Sequence, residues 1–235
     1  KSDVMEAAKV ADFILAFGHG VSDDVLRTAT KIRLVQLCSA GFDGINLELA
    51  GEMEIPVANN GGANAIPVAE FAIALTLSTL RHLIVSDQDT RSGGWMRPEV
   101  DGRDTHELFE STVGIIGAGR IGSTVAGMLR GFDTTTLYTD PVHSNKAERY
   151  GAIRVGLDEL LERSDVVTLH TPLNASSHGL IGERELGLMK STAILINTCR
   201  GPVVQEDALY SALVSKGIWG AGLDVFEVEP VDVQN

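Results

Sequence analysis

Cysteine is nearly missing from this 235-residue chain: Cys38 and Cys199 are the two it carries. Two are too few for a disulfide framework and suit a reducing, cytosolic compartment. Positive charge is scarce as well, with 19 Lys+Arg against 32 Asp+Glu, a formal net charge of −13. Nucleic acids and anionic membrane surfaces select for clustered Lys and Arg, so neither is an expected partner. No apolar run reaches the length of a bilayer span, and the first residues carry no signal-peptide pattern. Internal repeats and low-complexity segments are lacking too. What remains is ordinary globular material, 44% hydrophobic and 22% charged, with enough chain for one or two domains. An anionic ligand has to be held by a local site against a repulsive overall field.

The first third alternates short strands and helices. Apolar runs at 13–17, 34–38 and 55–58 read as strands, and 22–29 and 47–53 as helices. Gly18-His19-Gly20, Ser39-Ala40-Gly41 and the stretch 59–64 read as turns and loops. A long helix is expected from Pro67, with Val68, Phe71, Ala72, Leu75 and Leu80 on one face. It is expected to run on through the polar stretch 86–91 to Gly93-Gly94, as a helical linker. From Thr112 the pattern becomes regular: strands at 113–116, 135–138, 166–169, 193–197 and 218–224, separated by helices at 121–129, 157–163, 183–189 and 206–216. Apolar strands separated by amphipathic helices imply a parallel sheet with right-handed crossovers. The expected fold class is α/β, with two Rossmann-like or flavodoxin-like doubly wound domains, residues 1–82 and 83–235.

Gly117-Ala118-Gly119-Arg120-Ile121-Gly122 places G-x-G-x-x-G between a strand and a helix. In such a loop Gly117 permits the tight turn, Gly119 lets the backbone approach a pyrophosphate, and Gly122 allows close helix–sheet packing. Arg120 and Ile121 lie at the helix mouth, where free N–H groups and the dipole attract a diphosphate. Asp140, 18 positions past Gly122, ends the next strand. A carboxylate there accepts hydrogen bonds from both ribose hydroxyls of NAD and repels a 2′-phosphate. Pro141-Val142-His143-Ser144-Asn145 supplies no Arg that would admit NADP. The competing reading makes Gly119 and Asp140 plain turn residues; the strand, helix and acidic residue together favour the dinucleotide. No metal is expected.

Several stretches, in order, are similar to the D-isomer-specific 2-hydroxyacid dehydrogenase family. They are residues 39–45, 55–60 and 68–70, the glycine loop, His170-Thr171-Pro172-Leu173, Asn197-Thr198-Cys199-Arg200-Gly201 and residues 222–230. The resemblance implies reversible hydride transfer between nicotinamide C4 and C2 of a 2-keto or 2-hydroxy acid. It makes residues 1–82 the substrate domain and 83–235 the NAD domain. It assigns Arg200 as the cation for the substrate carboxylate and carbonyl, a task its planar fork suits. Glu229 corresponds to the glutamate that orients an imidazole and raises its pKa, with Glu227 a nearby decoy. The N–H groups of Ala40 and Gly41 hold the substrate carboxylate from the first domain. Asp224 binds the carboxamide, and Thr171, Pro172, Thr198 and Cys199 line the cofactor cleft. Cys199 beside Arg200 reads as a packed small residue, since no Cys–His arrangement supports a nucleophile. A homodimer through the cofactor domain is the default.

The chain departs from the family at three points. The family's catalytic histidine follows the Glu-Pro motif, whereas here the six histidines, at 19, 82, 106, 143, 170 and 178, all precede Glu229. The last strand of the cofactor sheet, the closing helix and the family's first strand are also missing, so the expectation is a fragment. Phe109-Glu110-Ser111 replaces a Gly-Lys turn. Two alternatives are a D-3-phosphoglycerate branch, for which Arg81-His82 and Arg97 would be candidate phosphate ligands, and an NAD-sensing corepressor-type protein. Arg200 and Glu229 favour the enzyme, because a pure sensor needs neither.

Overall fold

The structure, a computed structural model, describes residues 2–17, 20–95 and 105–231. The chain divides into two compact units, residues 1–65 and 66–235. His19 and Arg97, both named above, lie outside the described residues.

The first unit contains α1 (Ser2–Ala8), β1 (Phe13–Ala16), α2 (Asp23–Thr28), β2 (Leu34–Leu37), α3 (Leu47–Glu52) and β3 (Val57–Ala58). The strands are parallel in the order β1-β2-β3. Leu26, Val35, Leu37, Ile45 and Leu49 form its buried centre. Asn46 starts α3 as an N-cap, its side-chain oxygen accepting from the Leu49 N–H at 3.0 Å.

The second unit begins with α4 (Ala65–Leu80) and α5 (Leu83–Arg91). Its sheet comprises β4 (Thr112–Ile116), β5 (Thr135–Thr139), β6 (Ile153–Arg154), β7 (Val166–Leu169), β8 (Ile194–Asn197) and β9 (Gly220–Leu223). Between them run α6 (Arg120–Leu129), α7 (Asn145–Arg149), α8 (Leu157–Arg163), α9 (Glu183–Leu188) and α10 (Glu206–Val214). The six strands are all parallel, in the order β6-β5-β4-β7-β8-β9. Strand order reverses at β4, the switch point at which open α/β sheets bind ligands. Alternate residues of the strands face opposite layers. Val113, Ile115, Val166, Ile194 and Ile196 join one core, and Ile116, Val167, Leu169 and Leu195 the other. Burial on both faces is why these strands read as unbroken apolar runs.

The long helix differs from expectation. It stops at Leu80, and α5 restarts after a bend of 64°. His82 takes a left-handed conformation (φ 51°) at the break, and its ring lies 4.7 Å from that of Trp219. His106 meets the same indole edge-on at 4.9 Å. Aromatic contacts thus hold a corner where the sequence reads as continuous helix. The division between units also falls earlier than 82/83, because Ala69, Ala72 and Leu80 are buried in the second unit's core. Among the described residues no single helix is long and apolar enough to cross a membrane. The Glu110 turn keeps the path a glycine would give, with φ at 57° and its N–H donating to the Phe132 carbonyl.

Candidate active site

Five strands of the second unit deliver the residues singled out from sequence to one edge of the sheet. Gly117 follows β4, Asp140 follows β5, Thr171 and Pro172 lie just past β7, Thr198 follows β8 and Asp224 follows β9. In a parallel sheet all these are carboxyl ends, so they share an edge by topology alone.

The three glycines meet three different surroundings. Gly117 has φ 90°, and a Cβ there would lie 2.8 Å from the His170 carbonyl. A Cβ on Gly122 would lie 2.0 Å from the Gly117 oxygen, so helix and loop touch backbone to backbone. Gly119 is exposed at the mouth of α6, and a Cβ there would meet nothing within 4 Å. That open space in front of the first N–H groups of a helix fits a diphosphate.

Asp140 braces this loop. One carboxylate oxygen accepts from the Ala118 N–H and the other from the Val142 N–H, each at 2.8 Å. Each oxygen retains lone-pair capacity for a ribose hydroxyl. Arg154 is a residue that sequence reasoning missed. Its guanidinium donates to the carbonyls of Asp140 (2.7 Å) and Pro141 (3.2 Å). It reaches them because β6 pairs with β5 in the register Tyr138↔Arg154, and no local spacing signals that pairing.

Past β7, His170 is buried. Its Nε2 lies 3.0 Å from the Thr168 hydroxyl, and its Nδ1 has no partner among the described residues. Burial pushes its pKa down to about 4, so the ring is neutral at pH 7. The unfolded chain therefore takes up this proton near pH 6.5 and the folded chain only near 4. Stability is unaffected above the unfolded value and falls as pH drops through that window. The contribution is expected to reach about 2 kcal/mol between pH 7 and pH 5. Urea midpoints of wild type and His170→Gln at the two pH values check this: the variant's loss should be smaller, and an equal loss refutes the assignment.

Asn197, fully buried at the end of β8, organises the next turn. Its side-chain oxygen accepts from the Cys199 N–H at 3.0 Å, and its amide donates to the Arg200 carbonyl at 3.0 Å. Burial pushes the Cys199 thiol up, which suits a packed residue and not a nucleophile. The Thr198 hydroxyl is buried without a partner among the described residues. Arg200 is half-buried and donates to the Cys199 carbonyl at 2.7 Å. A Cβ on Gly201 would lie 1.9 Å from the Phe226 carbonyl, so these two backbone segments are pressed together. The Phe226 N–H in turn donates to the Glu229 carboxylate at 2.9 Å. Burial, with the Glu229 charge as a second cause, raises the pKa of Asp224. Arg200, Asp224 and Glu229 are thus brought to one corner. Glu227 faces elsewhere and exchanges backbone-to-carboxylate hydrogen bonds with Glu206 at the start of α10.

Ala40 and Gly41 belong to the first unit, past the end of β2. Their carbonyls are taken, Ala40 by the Asn59 amide (2.8 Å) and Gly41 by the Ser39 hydroxyl (2.7 Å). Their N–H groups meet no acceptor among the described residues, an arrangement able to receive a carboxylate.

Residues 73–235 match the family described as D-isomer specific 2-hydroxyacid dehydrogenase, NAD binding domain. A glyoxylate reductase of Korarchaeum cryptofilum is 38% identical over 98% of this chain and 70% of its own length. A glyoxylate reductase of Thermococcus gammatolerans is 41% identical over 89% of this chain and 64% of its own length. Among solved structures, the D-lactate dehydrogenase of Aquifex aeolicus, complexed with NAD and lactic acid, superposes with a TM-score of 0.88. It is 33% identical over 95% of this chain and 67% of that one. The fold, the cofactor edge and these matches agree: the chain belongs to the D-isomer-specific 2-hydroxyacid dehydrogenase family, a family of NAD-dependent oxidoreductases.

Proposed function

We propose a division of labour for hydride transfer between nicotinamide and C2 of a small D-2-hydroxy or 2-keto acid. The observation that carries it is the corner at which Arg200, Gly201, Phe226 and Glu229 meet beside the glycine-loop edge. Gly117, Gly119, Gly122 and the N–H groups of Arg120 and Ile121 bind the diphosphate. Asp140 takes the adenosine ribose, and Thr171, Pro172, Thr198, Cys199 and Asp224 line the nicotinamide end. Bound NADH supplies the hydride. Arg200 binds the substrate carboxylate and draws charge onto the C2 oxygen as it develops. Within the first unit, the Ala40 and Gly41 N–H groups are of the kind that receives a carboxylate. Glu229 orients an imidazole that protonates that oxygen. His170, neutral and engaged by Thr168, does not serve as that acid, and among the described residues no histidine meets Glu229.

The relatives named above favour a reductase of small 2-keto acids over a phosphoglycerate branch or a sensor. A cytosolic homodimer through the second unit is part of the same reading. It is supported by α5, which buries none of its side chains and exposes Leu83 and Ile84.

The test is a panel of 2-keto acids assayed with the full-length gene product and either cofactor. NADH should be used far faster than NADPH, because the Asp140 carboxylate repels a 2′-phosphate and the Arg154 guanidinium is engaged by two carbonyls. A clear NADPH preference removes the role given to Asp140, and no turnover of any keto acid removes the reaction.

A further inference from the structure

Ala118, the residue between the first two glycines of the loop, is gripped from two directions. Its N–H donates to Asp140, and its carbonyl accepts from the Ser144 hydroxyl at 2.6 Å. Ser144 is also the N-cap of α7, its oxygen accepting from the Ala147 N–H at 3.4 Å. Behind it the Ser144 N–H donates to the Tyr138 hydroxyl at 3.3 Å. That hydroxyl donates to Glu148 at 2.6 Å, and the same Glu148 oxygen meets the His143 ring at 3.0 Å. Ser144 is therefore held by its own helix, by a buried tyrosine on β5 and by the loop it contacts.

The direction of the Ala118 carbonyl has a consequence one atom further on. In a trans peptide the carbonyl and the following N–H point to opposite sides of the chain. Fixing the Ala118 oxygen toward Ser144 thus aims the Gly119 N–H the other way. That N–H meets no acceptor among the described residues and borders the open space beside Gly119, where a Cβ would meet nothing within 4 Å. We infer that Ser144 is a positioning residue for the dinucleotide, its hydroxyl locking the Ala118–Gly119 peptide so that the Gly119 N–H faces the diphosphate. Asp140 sets the peptide before Ala118 and Ser144 the peptide after it. The inference rests on the glycine loop being the diphosphate site.

Binding of NADH, followed by its fluorescence, and thermal melting test it together. Ser144→Gly removes the hydroxyl donor yet costs an N-cap little, whereas Ser144→Thr keeps both donor and cap. Ser144→Gly should weaken NADH about fivefold, the worth of one ordinary hydrogen bond, with little change in Tm. Ser144→Thr should stay within about twofold of wild type on the same scale. Tyr138→Phe, which removes the support behind Ser144 and leaves its side chain in place, should weaken NADH in the same direction. Unchanged affinity in Ser144→Gly overturns the inference, as does a loss that Ser144→Thr fails to restore. Wild type that does not bind NADH overturns the reading of the loop instead, so the two failures are distinguishable.

Discussion

Gly119→Val should fold as well as wild type and bind NADH on the order of 100-fold more weakly. A Cβ at this position meets nothing within 4 Å, so the protein offers it no clash. The side chain instead fills the space in front of the helix mouth. Two N–H contacts to an anion, each worth about 1.5 kcal/mol, amount to about two decades when lost. Gly122→Ala should do the reverse of this in its first effect. Its Cβ would lie 2.0 Å from the Gly117 oxygen, and backbone cannot move aside as a flexible side chain can. Overpacking of this kind costs about 1–3 kcal/mol, a Tm loss of several degrees in a chain this long. Melting curves and NADH titrations on both variants separate the outcomes. If Gly119→Val retains tight binding, the diphosphate does not lie at this helix.

Arg200→Ala should lower kcat/KM for the keto acid by on the order of 10³ or more in the full-length protein, while NADH affinity stays within about twofold. The guanidinium donates to the Cys199 carbonyl at 2.7 Å, in a turn that Asn197 braces from below. A planar guanidinium can meet a carboxylate in a two-point geometry that an ammonium cannot reproduce, so Arg200→Lys should restore little. Stopped-flow measurement of hydride transfer and separate NADH titration give the two numbers. Unchanged turnover would remove Arg200 from the chemistry, and a matching loss of cofactor affinity would recast it as a loop-forming residue.

Much of this arrangement was legible in the chain because its signals are local. The glycine loop sits within six residues, and the strands flanking it are apolar runs because both faces of the sheet are covered. What was not legible depends on partners distant in sequence. The two-residue strand β6 has too little pattern to be seen, and with it Arg154 escapes notice. The break at His82 is fixed by Trp219, over a hundred positions later, while the helical pattern around it reads as continuous. Ser144 sits in a polar stretch, and its contact with the loop is made to the Ala118 backbone carbonyl, which no side chain in the sequence signals. Glu227 forms a reciprocal pair with Glu206 at the head of α10, a partnership 21 positions apart that no local spacing signals.

Gly201 abuts the Phe226 backbone with no room for even a methyl group, and Glu229 is tied to the same Phe226. The cation-bearing turn and the acid-bearing turn therefore behave as one jaw of a tool and not as two fingers. Their backbones touch, so a shift of one turn has to be accommodated by the other. A substitution elsewhere that leaves this contact in place therefore leaves the relative placement of the two turns in place as well.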